Sequence, residues 1–127
     1  MKFEIIHYQQ VTSTNEVVRE LLKESEIEEG AVILADYQTK GKGRATNQWF
    51  SDAGKNLLIS IFFRPGLRIA DFFMLTEFIS LALVDTLETF SQEVRIKWPN
   101  DIYIGDRKIA GILIENRIGY DPERSGI

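Results

Sequence analysis

G-A-V-I-L-A-D-Y-Q-T-K-G-K-G-R-A-T-N-Q-W, residues 30–49, is the stretch on which the fold turns. Ala31 to Tyr37 is an apolar, β-rich run bounded by Gly30, and it predicts a strand. It empties into a loop with glycines at 41 and 43 and three cations, Lys40, Lys42 and Arg44, and the loop closes on Trp49. Glycine lets the backbone turn tightly and lets a ligand approach closely. Successive backbone N–H groups beside cations form a concavity for an anion. A cationic glycine loop ending in an aromatic therefore points to a phosphate attached to a flat ring. Two better-known phosphate motifs do not fit. The pattern G-x-x-x-x-G-K-[ST] is absent, and the third glycine of G-x-G-x-x-G is replaced by Thr46. A basic surface hairpin is the plain alternative for the loop taken alone.

Working outward, Lys2 to Tyr8 alternates loosely and predicts a first strand. Ser13, Thr14, Asn15 and Glu16 read as a helix start, with hydroxyls to cap free N–H groups and an acid at the positive end of the dipole. Val17, Val18, Leu21 and Leu22 recur at helical spacing up to about Ser25. After a turn at Gly54-Lys55-Asn56, the run Asn56 to Arg64 is apolar enough to predict a central strand with neither side facing water. Pro65-Gly66 stops it. Residues 69–90 predict a long helix with a broad apolar face turned to the core. Arg95 to Trp98 predicts a short strand ended by Pro99. Asn100-Asp101 reads as a turn, and residues 102–104 and 108–115 around Gly105 read as a hairpin. Residues 117–127 read as loop. The order lacks the regular alternation of a doubly wound fold. An α+β domain, with a mixed or antiparallel sheet and helices on one face, fits better.

Composition narrows the function. At 127 residues the chain has the size of one domain. A net charge of −4 argues against a general nucleic-acid surface, the loop being a local exception. With no cysteine and His7 as the single histidine, thiolate and histidine metal centres are not expected. No signal-peptide pattern opens the chain, and no run approaches ~18 apolar residues, so a cytoplasmic protein without membrane association is expected.

Lys97 is the other residue that chemistry singles out. It lies between Ile96 and Trp98, where a lysine must either snorkel to water or meet an anion. Solvent-facing alternation is the plain reading. Likewise, Ser13 and Thr14 are ordinary caps, Asn100-Asp101 an ordinary turn, and Trp49 either core or the rim of a site.

Taken together, the segments resemble a known pattern. S-T-N at 13–15, Y-Q-T-K-G-K-G-R at 37–44, W-F-S at 49–51, G-K-N-L-L-I-S-I at 54–61, K-W-P-N-D at 97–101 and R-K-I-A-G-I-L-I-E at 107–115 resemble biotin protein ligase. That family activates biotin with ATP and attaches it to a lysine of biotin-dependent carboxylases. The resemblance implies a biotin/lipoate-ligase-like catalytic domain, with residues 1–127 its N-terminal part and the C-terminal part absent. It implies biotin and ATP as substrates, Mg²⁺ on the phosphates, and a biotin carboxyl carrier domain as partner; a homodimer is compatible with it. Because the first strand starts near Met1, no DNA-binding domain is expected. By the same resemblance Ser13, Thr14, Asn15 and Gln38 would bind the ureido ring. Gly41, Lys42, Gly43 and Arg44 would shield the adenylate, Lys97 would sit at the reacting carboxylate and α-phosphate, and Trp49 would stack on adenine. Lys97 and Arg44 would be the catalytic pair. The loop departs from the family's usual G-R-G-R: Lys42 replaces an arginine, so a forked contact becomes a point charge, and Ala45-Thr46-Asn47 replaces a more basic continuation. A lipoate–protein ligase-like enzyme and a non-catalytic, truncated biotin-binding fragment are the competing readings.

Overall fold

The structure is a computed structural model that describes residues 1–117, so the C-terminal loop expected over 117–127 lies almost wholly outside the described residues. The chain divides into two compact units. One comprises Met1–Pro65, rejoined by the chain at Glu115; the other comprises Gly66–Ile114.

The first unit is built on a βαβ crossover. Strand β1 (Glu4–Val11) and strand β2 (Ala31–Gln38) run parallel, joined through helix α1 (Thr14–Lys23). Two short strands, β3 (Gly41–Lys42) and β4 (Gln48–Trp49), form a separate hairpin within the glycine loop. Strand β5 (Leu58–Ile61) returns antiparallel to β2, giving the order β1-β2-β5. Register puts Ile6, Ile33 and Ser60 in one row across the sheet. Ile33 is fully buried, as expected for the centre of the middle strand. Beside it, Ile27, Ala31 and Phe62 pack against Ile6, Val18, Leu21 and Leu22, so the apolar stripe of α1 seals this face. Gly30 opens β2 at φ +95, and a Cβ there would overlap the Lys2 carbonyl oxygen. Only glycine permits both the dihedral and the close approach.

The second unit packs helix α2 (Phe73–Glu88), preceded by a 3₁₀ turn at Ile69–Asp71, against a meander. Its strands are β6 (Val94–Lys97), β7 (Asp101–Ile104) and β8 (Arg107–Gly111), all antiparallel, with a bulge between Ile102 and Tyr103. Ile102 is fully buried.

The α+β class with a mixed sheet is as expected, and three local expectations are corrected. Among the described residues β5 is an edge strand, not a central one. It alternates, with Leu58 and Ser60 buried and Ile59 and Ile61 exposed, because only one face of β5 meets α1. The long helix does not bury a broad face: Leu75 and Ser80 are its buried residues, while Phe73, Phe78 and Leu81 are more than half exposed. Its apolar residues wrap the helix, whereas a three-stranded sheet covers one side. Third, Ser13 sits at the N-cap with extended backbone but makes no side-chain capping bond.

Candidate functional site

The cap that Ser13 does not supply comes from Gln38. The backbone of Thr39 and Lys40 donates to the carbonyls of Val11 and Thr12 at 2.9 and 2.8 Å. Those bonds hold the end of β2 beside the start of α1. Gln38 Oε1 then accepts from the Thr14 backbone N–H at 2.8 Å and from Thr14 Oγ1 at 3.1 Å. A free N–H at the first turn of a helix requires an acceptor, and here a side chain 24 residues away provides it. The amide of Gln38 is thereby oriented, because a backbone N–H can only donate. Its oxygen faces the helix, and its NH₂ group is left to face outward.

Ser60 completes the cluster from β5. Its hydroxyl lies 2.7 Å from Thr14 Oγ1 and also bonds Asn15 Oδ1. Ser13 and Thr14 are 3 % and 4 % exposed, so these polar groups sit where an unpaired partner is costly. Asn15 Nδ2 reaches Glu115 Oε2 at 3.3 Å. Both ends of the Asn15 amide are thus used within the protein, and Asn15 braces the cluster. The Ser13 hydroxyl and the Gln38 NH₂ group have no hydrogen-bond partner among the described residues. One donor–acceptor hydroxyl and one fixed amide donor suit a small ring that carries a carbonyl and N–H groups.

The glycine hairpin lies against this cluster. Gly43 N–H donates to the Asn47 carbonyl at 2.9 Å, and Asn47 N–H to that of Arg44 at 3.0 Å, with Ala45 at positive φ in the turn between them. A Cβ at Gly41 would stand 2.5 Å from the Trp49 carbonyl oxygen and 2.9 Å from Gln38 Nε2. Glycine is needed there so that hairpin and amide can touch. An open cleft of about 880 Å³ is lined by Gln38, Gly41, Lys42 and Trp49 together with Lys40 and Asn56. Trp49 is half-buried, at the rim.

Charge is unevenly distributed over the loop. Lys42 Nζ pairs with Glu16 Oε2 at 2.8 Å, and Arg19 Nη1 reaches the same oxygen at 2.8 Å. The Lys42 hydrogen bond first, then the Arg19 charge, holds the Glu16 carboxyl below its usual range, against the opposite pull of partial burial. Lys40 and Arg44 are exposed and make no ion pair among the described residues.

Of the residues singled out by sequence, the structure brings together Ser13, Thr14, Asn15, Gln38, Gly41 and Lys42. Gly43, Arg44 and Trp49 follow on the same hairpin, while Ser13, Thr14 and Asn15 do not themselves line the cleft. Lys97 belongs to the second unit. It is exposed at the end of β6, with Nζ 5.7 Å from the centroid of the Tyr103 ring, which Arg95 also approaches. Sequence reasoning missed Ser60, and its signal was a lone hydroxyl inside the run L-L-I-S-I-F-F. It also passed over the ion pairing of Glu16, Arg19 and Glu115. Among the described residues no three acidic or histidine side chains cluster in a way that would hold a metal ion, and no helix is long and apolar enough to cross a membrane.

The chain is similar to known proteins over most of its length. Residues 7–124 match the model of the biotin/lipoate A/B protein ligase family. The bifunctional ligase/repressor BirA of Escherichia coli is 38% identical over 106 residues, covering 83% of this chain and 32% of BirA. The human biotin–protein ligase is 34% identical over 125 residues, which is 90% of this chain and 17% of that protein. The biotin protein ligase of Aquifex aeolicus, solved in complex with biotin and ATP, superposes with a TM-score of 0.74 at 31% identity, over 93% of this chain and 48% of that one. The chain spans about a third or less of the length of these two curated relatives. With the family model covering nearly all of its length, this chain belongs to the biotin/lipoate A/B protein ligase family.

Proposed function

We propose that this chain supplies the biotin-binding and adenylate-shielding part of an ATP-dependent biotin protein ligase. In the first step the biotin carboxylate attacks the α-phosphorus of ATP, giving biotinyl-5′-AMP and pyrophosphate. In the second, the ε-amine of a lysine on a biotin carboxyl carrier domain attacks the activated carbonyl, and AMP leaves. The observation that carries this reading is the Gln38 amide, fixed by the N-terminus of α1 and in touch with the glycine hairpin at Gly41.

The reaction asks the protein for alignment and charge neutralisation rather than for a nucleophile of its own. The Ser13 hydroxyl and the Gln38 NH₂ group meet the ureido ring, with Thr14, Asn15 and Ser60 holding them in place. Arg44 and Lys97 stabilise charge on the transferring phosphoryl group. Trp49 offers a ring face for adenine. Mg²⁺ would enter with the nucleotide and would neutralise the phosphates further. The hairpin excludes water from the mixed anhydride until the amine arrives.

Calorimetric titration with biotin and with lipoate tests the reading. Specific biotin binding, strengthened by ATP, is the expected result. A folded sample that binds lipoate in preference to biotin, or binds neither, overturns it. Pyrophosphate release on adding biotin and ATP tests the first chemical step.

A further inference from the structure

Lys42 is held on α1 by a carboxylate that it shares with a second cation. Glu16 Oε2 accepts from Lys42 Nζ and from Arg19 Nη1 at once, each at 2.8 Å. Arg19 Nη2 reaches on to Glu115 Oε2 at 3.0 Å, an oxygen that also accepts from Asn15 Nδ2. Asn15 is bonded to Ser60, Ser60 to Thr14, and Thr14 to Gln38. A continuous polar chain therefore runs from the hairpin cation, across α1, to the amide that touches the same hairpin at Gly41.

Because Glu16 has two cationic partners, loss of one does not strand its charge. Arg19 alone still neutralises it, so Lys42 can leave at little cost. Lys42 also contributes to the wall of the cleft. Its ion pair is partly exposed on both sides, at 45% and 28%, which places it among weak, exchangeable surface pairs. We propose that Glu16 is a positioning residue: it parks Lys42 on α1 and yields it to an anionic group entering the cleft. Anion binding and detachment of the hairpin from α1 are then a single exchange of partners. The ligand class is a carboxylate or phosphate carried on the bound small molecule. The proposed function enters only in naming that anion as the biotin carboxylate or its adenylate.

The test uses Glu16→Gln and Lys42→Gln in the full chain, with two readouts. The first is hydrogen exchange of the Gly43 amide, which donates to the Asn47 carbonyl and so reports how well the two-pair hairpin holds together when Lys42 anchors it to α1. Glu16→Gln is expected to lower its protection about two- to fivefold, the span of an exposed ion pair. High salt should bring the parent down to the same level and leave Glu16→Gln unmoved. The second readout is the affinity for biotin relative to its neutral primary amide. Glu16→Gln should raise that ratio about two- to fivefold, since Lys42 no longer has to leave a carboxylate, and Lys42→Gln should lower it. Unchanged, salt-insensitive Gly43 exchange in Glu16→Gln overturns the parking of Lys42, whatever binds. Altered exchange with an unchanged affinity ratio overturns the hand-over. If neither biotin nor its amide binds the parent, the functional reading falls, and Gly43 exchange alone then decides the role of Glu16.

Discussion

Gly41→Ala is the substitution for which the structure makes the sharpest demand. The added methyl would lie 2.5 Å from the Trp49 carbonyl oxygen, about 0.9 Å inside the 3.4 Å of ordinary contact, and 2.9 Å from Gln38 Nε2. Neither neighbour has an easy retreat. The Trp49 carbonyl is backbone, and Trp49 pairs with Gly41 in a hairpin of only two residue pairs. Gln38 is held by Thr14 at 2.8 Å. Relief therefore means opening the hairpin or turning the Gln38 amide away from it. Overpacking of this kind costs about 1–3 kcal/mol, which corresponds to about 5- to 160-fold weaker biotin binding. Isothermal titration with biotin measures it. Gly43→Ala is the internal control. Its methyl would meet Asn47 Cβ at 3.3 Å, a distance that a shift of a few tenths of an ångström relieves. It should weaken binding less than about threefold, at the low end of overpacking costs. Because the hairpin lies outside the cluster of Ile27, Ala31 and Phe62, the thermal midpoint of both variants should stay close to that of the parent. Biotin binding by Gly41→Ala within twofold of the parent, or a larger loss in Gly43→Ala, refutes the placement of the hairpin against Gln38.

Lys97→Ala should slow single-turnover pyrophosphate release by ~10²–10³, the usual cost of losing one preorganised charge-stabilising group, while biotin affinity changes far less; an unchanged rate removes Lys97 from the mechanism. Ser80→Ala should stabilise the chain by about 1 kcal/mol, because the Ser80 hydroxyl is buried without a hydrogen-bond partner among the described residues; a lower midpoint in urea contradicts this. Glu16 should impose a pH dependence on the hairpin. Its carboxyl is lowered in the folded state by Lys42 and Arg19, so its contribution is present above the ordinary glutamate value of 4.5 and is lost as pH falls through the folded value. Gly43 amide protection, corrected for intrinsic exchange, should be level from neutral pH down to that range and drop below it. Glu16→Gln should show no drop.

Much of this was legible in the chain because the signals are local. Alternation and glycine boundaries mark β1 and β2 to within a few residues, and the spacing of Val18, Leu21 and Leu22 places the buried stripe of α1. Other features depend on what a segment meets. The apolar run at 56–64 reads as fully buried, yet its burial depends on which neighbours lie on each side, and among the described residues β5 pairs with β2 alone. The helix at 73–88 carries apolar residues on every side, so periodicity could not say which side is covered. Ser13 has the residue type of a cap, but the bond goes to Gln38, a competition invisible without the parallel register of β1 and β2. The residues gathered at the start of α1, the end of β2 and the hairpin were legible chiefly as motifs. Ser60 was not, because its role follows from facing α1 in the row of Ile6 and Ile33.

The polar chain across α1 also sets an order of assembly. Thr14 and Gln38 are 24 residues apart, Thr14 and Ser60 are 46, and Asn15 and Glu115 are 100. Closing a longer loop costs more entropy, by about 0.6 kcal/mol per doubling. The Glu115 contacts thus carry roughly 1.2 kcal/mol more closure cost than the Gln38 contact, and the whole second unit lies between their ends. Closure cost therefore favours forming the amide cap first, with the βαβ crossover, then the Ser60 contacts as β5 docks, then those of Glu115. The Gln38 amide is then oriented early, on a scaffold whose ion-pair chain is still open at Arg19.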